Sequence, residues 1–234
     1  MRTMLRAFLW EFRDAPPALS SGQLHIWRFA LDHCRCEPAA LSHPEQQRLA
    51  AINDATGRQR YCAARTALRR LLGAYLGIPA DEVALDIAPG GKPRLADPQA
   101  QLHFNLSHSN GTGLLALSSR QAVGVDIENK APPANLARIA ERVFGHEEIA
   151  QLAAARQDPA VFLRLWTRME ARQKCLGQGV FGHRIAPDAV GVESFMAGEA
   201  AVAAVAWADP DERPSLQCFE LPATGCNETL PGSR

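Results

Sequence analysis

The order of predicted secondary-structure elements repeats once along this chain, and that repeat limits the folds open to it. A strand, helices and strands are followed by another strand, helices and strands, although the sequence itself does not repeat. Each half fits helices packed on a small antiparallel sheet, which is an α+β arrangement. We therefore expect two similar halves related by a pseudo-twofold axis, residues 1–118 and 119–223, with a flexible tail over 224–234.

The first half contains the clearest helix. In "GRQRYCAARTALRRLLGAYLGI" apolar side chains recur at helical spacing, and the Gly-Ile-Pro sequence that follows predicts the helix end. An earlier helix is predicted to begin after Ser42, with Pro44 in its first turn and Glu45 at the capping-box position. The stretch "QLHIWRFAL" alternates apolar and polar residues, as a strand does.

The second half repeats this order. The pattern is helical from Leu136 to about Ala155, and Asp158 is predicted to cap a helix that runs to about Leu176. Strand-like segments precede and follow these helices, among them "AVGVDIE" and "AAVAAVAWA". Because ligand pockets favour interfaces between domains, the seam near residue 118 is the expected place for a ligand.

The charge balance argues against a general attraction to nucleic acid or membranes. The chain has 25 Lys and Arg against 25 Asp and Glu, a formal net charge of zero. Its N-terminus begins like a weak signal peptide, but Glu11, Arg13 and Asp14 interrupt it. No run approaches the roughly eighteen apolar residues of a membrane span. We expect a cytoplasmic protein with neither nucleic acid nor membrane as partner.

The six cysteines form no C-x-x-C pair. Cys34 and Cys36 lie two residues apart, which is a poor arrangement for zinc without further ligands nearby. We therefore expect reduced thiols rather than a metal or disulfide framework.

Two carboxylates share one face of the strand "VGVDIE". Asp126 and Glu128 stand at i and i+2, so both point to the same side of the strand. Adjacent carboxylates repel each other, and a hard divalent cation such as Mg²⁺, which binds one or two carboxylates together with substrate phosphates, removes that repulsion. The alternative is a solvated acidic strand end.

A second acidic position lies in "LWTRMEARQKCLGQGV". Glu170 and Lys174 are four residues apart and therefore neighbours on a helix. Taken alone, this pair also fits an exposed ion pair worth roughly 0.3–0.5 kcal/mol.

The segment "FNLSHS" places Ser107 and His108 at the presumed seam. Both side chains can donate hydrogen bonds to an anion. A plain strand-to-loop transition is the alternative, and a Ser-His nucleophile is disfavoured because no G-x-S-x-G motif is present.

Cationic side chains are concentrated in the early helix and in the "GGKP" turn. Arginine binds phosphate through a planar fork, and Lys92 adds a cation from the turn. Nucleic acid is another interpretation, but the chain lacks a basic balance and an aromatic platform. The helix carries its five arginines at Arg58, Arg60, Arg65, Arg69 and Arg70.

These signals are weak singly, but their order along the chain is informative. Together they supply cations for phosphates and three carboxylates for a metal, a combination that suits a nucleotide-like diphosphate with Mg²⁺. "GGKPRL", "FNLSHS", "VGVDIE" and "LWTRMEARQKCLGQG" resemble, in that order, the motifs of Sfp-type (surfactin-synthetase-activating type) 4′-phosphopantetheinyl transferases. The resemblance covers about Pro44 to Val180.

The resemblance implies a reaction and a set of residues for it. Enzymes of this family transfer phosphopantetheine from coenzyme A to a serine of an acyl or peptidyl carrier protein, with adenosine 3′,5′-bisphosphate as the other product. Asp126, Glu128 and Glu170 match the family's acidic metal ligands, for Mg²⁺ or Mn²⁺. Lys174 matches a lysine near the pyrophosphate. Glu170 is our candidate for the base that takes the serine proton, directly or through a metal-bound water.

The resemblance also implies coenzyme A contacts in the cleft between the halves of a monomer. Lys92, Ser107 and His108 match positions that hold coenzyme A, chiefly around its 3′-phosphate, and Arg65 matches an arginine of similar role.

One position departs from the family pattern W-[ST]-x-K-E-[AS]-x-x-K. Met169 replaces the first lysine, and a thioether neither donates a hydrogen bond nor carries charge. Arg168 and Arg172 project in other directions, because successive helical residues are about 100° apart. "GQGV" in place of the common "GKG" removes another cation. We expect weaker coenzyme A binding with the chemistry retained.

Two other hypotheses remain open from the sequence. A degenerate family member would bind coenzyme A or a carrier protein with weak or no transfer, and Met169 is the main support for it. An Arg-rich module for an acidic protein or RNA would bind without Mg²⁺, and it gives no role to Asp126 and Glu128.

Overall fold

The computed structural model describes residues 5–88, 90–129, 131–178, 185–186 and 188–223. Its α-helices are α1 (His43–Ala51), α2 (Ala55–Leu76), α3 (Leu136–Val143), α4 (His146–Ala154) and α5 (Pro159–Cys175). Its strands are β1 (Arg6–Ala7), β2 (Glu11–Phe12), β3 (Gln23–Ala30), β4 (Leu85–Ile87), β5 (Pro93–Leu95), β6 (His103–Ser109), β7 (Thr112–Ser118), β8 (Val123–Glu128), β9 (Gly191–Met196), β10 (Val202–Trp207) and β11 (Ser215–Glu220).

The first two helices begin and end at residues with a clear capping role. Ser42 donates its backbone N–H to Glu45 Oε2 at 2.8 Å, which confirms the predicted capping box of α1. At the start of α2, the Asp54 carboxylate accepts a hydrogen bond from the Gly57 N–H at 2.5 Å. Gly77 ends α2 with φ +70°, a left-handed conformation that glycine adopts without steric cost.

Two sheets carry most of the strands. The first has the order β2-β11-β3-β7-β6 and the second the order β1-β9-β10-β8, while β4 and β5 form a separate hairpin. Strand β7 is antiparallel to both of its neighbours, β3 and β6, and β10 is antiparallel to both β9 and β8. Helices alternate with small sheets along the chain, so the predicted α+β class is confirmed, although the expected antiparallel sheets are mixed because β1 and β11 pair with their neighbours in parallel.

The two sheets share one apolar cluster between them. Leu24 and Ile26 of β3 pack in the same cluster as Val125 and Ile127 of β8 and Phe195 of β9. Because side chains alternate along a strand, the opposite face of each sheet is left for helices. There, α2 covers the first sheet and α5 covers the second.

The two ends of the described chain cross between the sheets. Strand β1 pairs in parallel with β9 in the second sheet, and β11 pairs in parallel with β3 in the first. The boundary predicted near residue 118 falls in the turn between β7 and β8, which belong to different sheets. The division into halves at that point stays a prediction, and the tail at 224–234 lies outside the described residues.

The single helix expected from Leu136 to about Ala155 is two helices. Phe144 is buried in the cluster between α3, α4 and α5, and Gly145 donates its N–H to Glu148 Oε2 at 2.9 Å. Helix α3 thus ends where the Phe144 ring is buried, and α4 begins after Gly145 with a cap of its own. Helical spacing alone does not show such a break.

The expectation that all the cysteines are reduced thiols is wrong for one pair. Cys36 and Cys62 form a disulfide, with their Cα atoms 5.1 Å apart. They are 26 residues apart in sequence, and α2 brings Cys62 against the loop that follows β3. Cys34, Cys175 and Cys218 are buried and take no part in a disulfide among the described residues.

Among the described residues, none of the helices combines the length and apolar character that crossing a bilayer requires.

Candidate active site

Helix α5 lies very close to strand β8, and a glycine makes this approach possible. A Cβ placed on Gly124 would lie 2.0 Å from the Ala171 carbonyl oxygen and 2.4 Å from the Cys175 backbone nitrogen. Only a residue without a side chain fits there. The glycine of "VGVDIE" therefore sets the distance between the strand that carries two predicted acids and the helix that carries Glu170.

The strand turns its acids toward α5. Val125 and Ile127 are in the core between the sheets, so Asp126 and Glu128 face the other way. Lys174 places its Nζ atom 2.6 Å from Asp126 Oδ1 and 3.8 Å from Glu170 Oε2. The structure thus brings β8 and α5 together, with Lys174 between Asp126 and Glu170.

A series of side-chain hydrogen bonds joins β8 to β6, the neighbouring edge strand of the first sheet. Ser107 Oγ donates to Asp126 Oδ1 at 2.9 Å, and Ser109 Oγ donates to Glu128 Oε2 at 3.1 Å. One step earlier, Asn105 Oδ1 accepts the Val125 N–H at 2.8 Å.

Sequence reasoning missed Asn105 and Ser109 as members of the site. One sequence pattern could have indicated Ser109. Ser107 and Ser109 have the same i, i+2 spacing on their strand as Asp126 and Glu128 have on theirs, so each serine can face one acid.

Burial dominates the electrostatics of the cluster. It raises the pKa of Asp126, against the lowering effect of the Lys174 ammonium. The pKa of Glu170 is also raised by burial, and its rise is supported by the nearby charges of Asp126 and Glu128. Like charges held this close to one another repel.

The three carboxylates of the cluster are suitable ligands for a hard cation, but they are not arranged around a single metal position. No group of three His, Cys, Asp or Glu side chains in the described part of the chain is arranged to hold a metal ion. Asp126 Oδ2, however, is a buried oxygen with no hydrogen-bond partner among the described residues. An unpaired buried carboxylate oxygen is costly, and an all-oxygen set of ligands is the kind that Mg²⁺ takes. The residues therefore fit such an ion once the Lys174 ammonium has moved off Asp126.

Comparison with known proteins identifies the family. Over 175 residues the chain is 35% identical to the 4′-phosphopantetheinyl transferase HetI of Nostoc sp., which covers 70% of this chain and 74% of that protein. The chain belongs to the 4′-phosphopantetheinyl transferase family. It is 38% identical over 122 residues to the 4′-phosphopantetheinyl transferase AcpT of Escherichia coli, covering 51% of this chain and 58% of the relative. A 33% match over 115 residues to the 4′-phosphopantetheinyl transferase psf-1 of Bacillus pumilus covers 48% of each.

The family model for the 4′-phosphopantetheinyl transferase superfamily matches residues 122–217. This segment contains β8 and α5 and therefore Asp126, Glu128, Glu170 and Lys174. The protein is accordingly a transferase of the phosphopantetheinyl class, and the cluster between β8 and α5 lies within the part that carries the family likeness.

The other residues that the phosphopantetheinyl transferase motifs pointed to are more dispersed. His108 has an exposed side chain on β6, and its pKa is lowered by partial desolvation and by the charges of Lys174 and Arg60. Lys92 donates to the Val123 carbonyl at 2.7 Å, and burial lowers the pKa of its ammonium. Their coenzyme A contacts stay predictions, as does that of Arg65.

The arginines of α2 are largely engaged with acids. Arg65 and Arg69 both pair with Glu45, the capping residue of α1, and Arg69 Nε lies 2.6 Å from Glu45 Oε2. Arg60 forms a two-pronged ion pair with Asp32, at 2.6 and 2.9 Å. The helix thus presents less uncommitted positive charge than the sequence indicates, which weakens the hypothesis of an Arg-rich binding module.

Met169, at the position of the missing family lysine, packs against an apolar cluster formed by α3, α4 and α5. Arg168 instead reaches Ser194 of β9 at 3.4 Å, and Arg172 lies 3.7 Å from Glu148 of α4. Neither arginine replaces the lysine in direction, as the helical geometry predicts.

Proposed function

We propose that this protein transfers the 4′-phosphopantetheine arm from coenzyme A to a serine of an apo acyl or peptidyl carrier protein, in an Mg²⁺-dependent reaction that releases adenosine 3′,5′-bisphosphate. One observation carries the proposal. Two elements far apart in sequence, β8 and α5, bring Asp126, Glu128, Glu170 and Lys174 together at the place where the two sheets meet. The family membership supports the same reaction class.

The acids are the proposed ligands of the metal. Asp126, Glu128 and Glu170 would hold Mg²⁺, or Mn²⁺, and the unpartnered Asp126 Oδ2 supports this role. When bound, such a cation neutralises charge on the pyrophosphate of coenzyme A. The carboxylates also keep the region negative until the cation is present, which favours its uptake over that of a bare phosphate.

Lys174 is the proposed cation for the phosphate group. In this structure its ammonium bonds Asp126 and, at 3.2 Å, Ser107. It is 27% exposed and flexible at four carbon–carbon bonds, so it can turn from the carboxylates to a substrate phosphate. There it would stabilise the negative charge that grows on the leaving bisphosphate during transfer.

Glu170 is the proposed base. It comes from the helix, whereas Asp126 and Glu128 come from the strand, so it approaches the site from another side. Its raised pKa makes the carboxylate a better proton acceptor for the carrier serine as that hydroxyl attacks the β-phosphorus.

Coenzyme A is proposed to lie along the seam, with its 3′-phosphate near Lys92, Ser107, His108 and Arg65. His108 is the best supported of these, because its exposed ring lies near both Lys174 and Arg60. We further propose that the protein acts as a monomer in the cytoplasm.

The test mixes the protein, coenzyme A, Mg²⁺ and a panel of apo-carrier proteins, and follows each carrier by intact mass. The proposal expects one carrier to gain the pantetheine arm on its serine, and to gain none when EDTA replaces Mg²⁺. Replacing that serine with alanine in the carrier is the matched control. If the protein binds coenzyme A but no carrier gains mass, although a known transferase modifies the same carriers, the protein is a degenerate family member with weak or no transfer.

A further inference from the structure

We propose that Ser107 and Ser109 are positioning residues that hold the two carboxylates of β8 in place for the divalent cation. The proposal rests on the function proposed above and gives Ser107 a role in addition to the coenzyme A contact that the family motif implies. It concerns the edge where β6 and β8 run side by side while belonging to different sheets.

Each serine is fixed by a donor on one side and bonds a carboxylate on the other. Ser107 Oγ accepts a hydrogen bond from Lys174 Nζ at 3.2 Å and donates to Asp126 Oδ1 at 2.9 Å. Ser109 Oγ accepts the Asn129 N–H at 3.1 Å and donates to Glu128 Oε2 at 3.1 Å. An ammonium and a backbone N–H can only donate, so each hydroxyl hydrogen is directed to the carboxylate.

The bonding pattern leaves one Asp126 oxygen for the cation. Oδ1 is taken by Ser107 and Lys174, whereas Oδ2 is buried without a partner among the described residues. A hydrogen bond to one oxygen of a carboxylate fixes the plane of the group and hence the direction of the other oxygen. Ser107 therefore orients the atom that would ligate the metal.

Both serine hydroxyls are committed to the carboxylates in this structure. Each is only 8% exposed, and each hydroxyl already has a donor and an acceptor. His108, between them in sequence, is exposed. Within the "SHS" segment the two serine hydroxyls are therefore bonded to the carboxylates, whereas the His108 side chain is exposed.

The test measures metal binding without turnover. Mn²⁺ binding is followed by electron paramagnetic resonance, without coenzyme A, in wild type, Ser107→Ala and Ser109→Ala. Loss of an outer-shell hydrogen bond typically weakens metal binding about 10–100-fold, and that is the expected effect in each variant. Ser107→Thr and Ser109→Thr keep the hydroxyl and are expected to restore binding, which a purely structural loss would not predict.

Ser118→Ala is the matched control. Ser118 is also a buried strand serine, 2% exposed, but its Oγ accepts the backbone N–H of Arg120 and Gln121 rather than donating to an acid. Its Mn²⁺ affinity is expected to equal that of wild type. Thermal unfolding of every variant confirms folding, and if one alanine variant does not fold, the other tests the same claim.

A second measurement, the KM for coenzyme A at saturating Mg²⁺, separates the two roles. The proposal expects this KM to stay near the wild-type value in Ser109→Ala, whereas Ser107→Ala is judged by its Mn²⁺ binding because Ser107 is also a proposed coenzyme A contact. Unchanged Mn²⁺ binding in the alanine variants overturns the proposal, and a raised KM beside it would assign Ser107 to coenzyme A. Failure of the wild type to modify any carrier while Mn²⁺ binding follows the expected pattern would overturn the proposed function and leave the positioning role standing.

Discussion

Lys174 places its ammonium between Asp126 and Glu170 in this structure. Without a metal, this ammonium compensates carboxylates that repel one another. We therefore predict that Lys174→Ala destabilises the protein in EDTA. The loss is expected to be at most about 3 kcal/mol, the lower limit for breaking a buried ion pair, because Lys174 is 27% exposed.

Added Mg²⁺ is expected to recover most of that loss in Lys174→Ala and to change the wild type much less. Chemical denaturation with EDTA and with Mg²⁺ measures both effects, and Lys92→Ala serves as a lysine control outside the cluster. Equal stability of wild type and Lys174→Ala in EDTA would show that the ammonium has no such role.

Met169 gives a second prediction at this scale. Met169→Lys restores the family's cation, so the KM for coenzyme A is expected to fall while kcat changes little. The same change removes an apolar side chain from the cluster of α3, α4 and α5, so the melting temperature is expected to fall as well. Met169→Gln is the control for loss of packing without charge. An unchanged KM in the lysine variant would refute this explanation of the departure from the family pattern.

His25 sets a pH dependence of stability. It is buried, its Nδ1 lies 2.7 Å from the Tyr75 hydroxyl, and the Tyr75 oxygen also accepts the Trp27 N–H at 2.8 Å. The hydroxyl therefore donates to a neutral imidazole. Burial lowers the pKa of His25 from 6.5 to about 4.

Because the folded state holds His25 neutral, the unfolded state binds more protons between these two values. The stabilisation is complete above pH 6.5 and is lost as the pH falls toward 4, by up to about 3 kcal/mol. Urea unfolding of wild type and His25→Gln across this range measures the difference. Parallel pH profiles for the two proteins would exclude His25 as the source.

At the scale of elements, the contact between α5 and β8 is the one on which the site depends. Gly124→Ala would place a methyl group 2.0 Å from the Ala171 carbonyl and so push the helix off the strand. We predict a loss of about 1–3 kcal/mol in stability, as for an overpacked core, together with a higher Mg²⁺ requirement for transfer.

Gly198→Ala is the matched control for this prediction, since its new methyl group would make only an ordinary contact at 3.9 Å with the Ala201 Cβ. Denaturation and an Mg²⁺ titration of transfer test both variants. A Gly124→Ala protein with wild-type stability and Mg²⁺ dependence would show that the close approach is not needed.

The sequence predicted the elements whose pattern is long and periodic. Helices α2 and α5 and strand β8 were expected at nearly their observed limits, because caps and apolar spacing mark them. Strands β1 and β2 have two residues each, which is too short for any period. The disulfide escaped prediction because the meeting of Cys36 with Cys62 depends on tertiary packing.

The same distinction holds within the site. Asp126, Glu128, Glu170 and Lys174 were grouped from the order of motifs, and the structure brings these four side chains together. The bond from Ser107 to Asp126 depends on the register of β6 against β8. No local pattern shows that register, because the two strands lie in different sheets.

At the scale of the whole molecule, the two sheets are tied together twice. The chain ends cross over, with β1 in the second sheet and β11 in the first, and the side-chain bonds between β6 and β8 close the seam beside them. The proposed site lies on this seam. A substrate or metal ion bound at the proposed site would therefore contact residues of both sheets.

The central claim is that transfer occurs at the cluster between β8 and α5. The measurement that tests it most directly is the rate of carrier modification by Glu170→Gln at saturating Mg²⁺ and coenzyme A, followed by intact mass, with exposed Glu199→Gln as the control. Loss of a general base typically costs about 10²–10⁴-fold in rate, so Glu170→Gln is expected to be slower by at least about 100-fold while Glu199→Gln keeps wild-type turnover. A near-normal rate in Glu170→Gln would contradict the account.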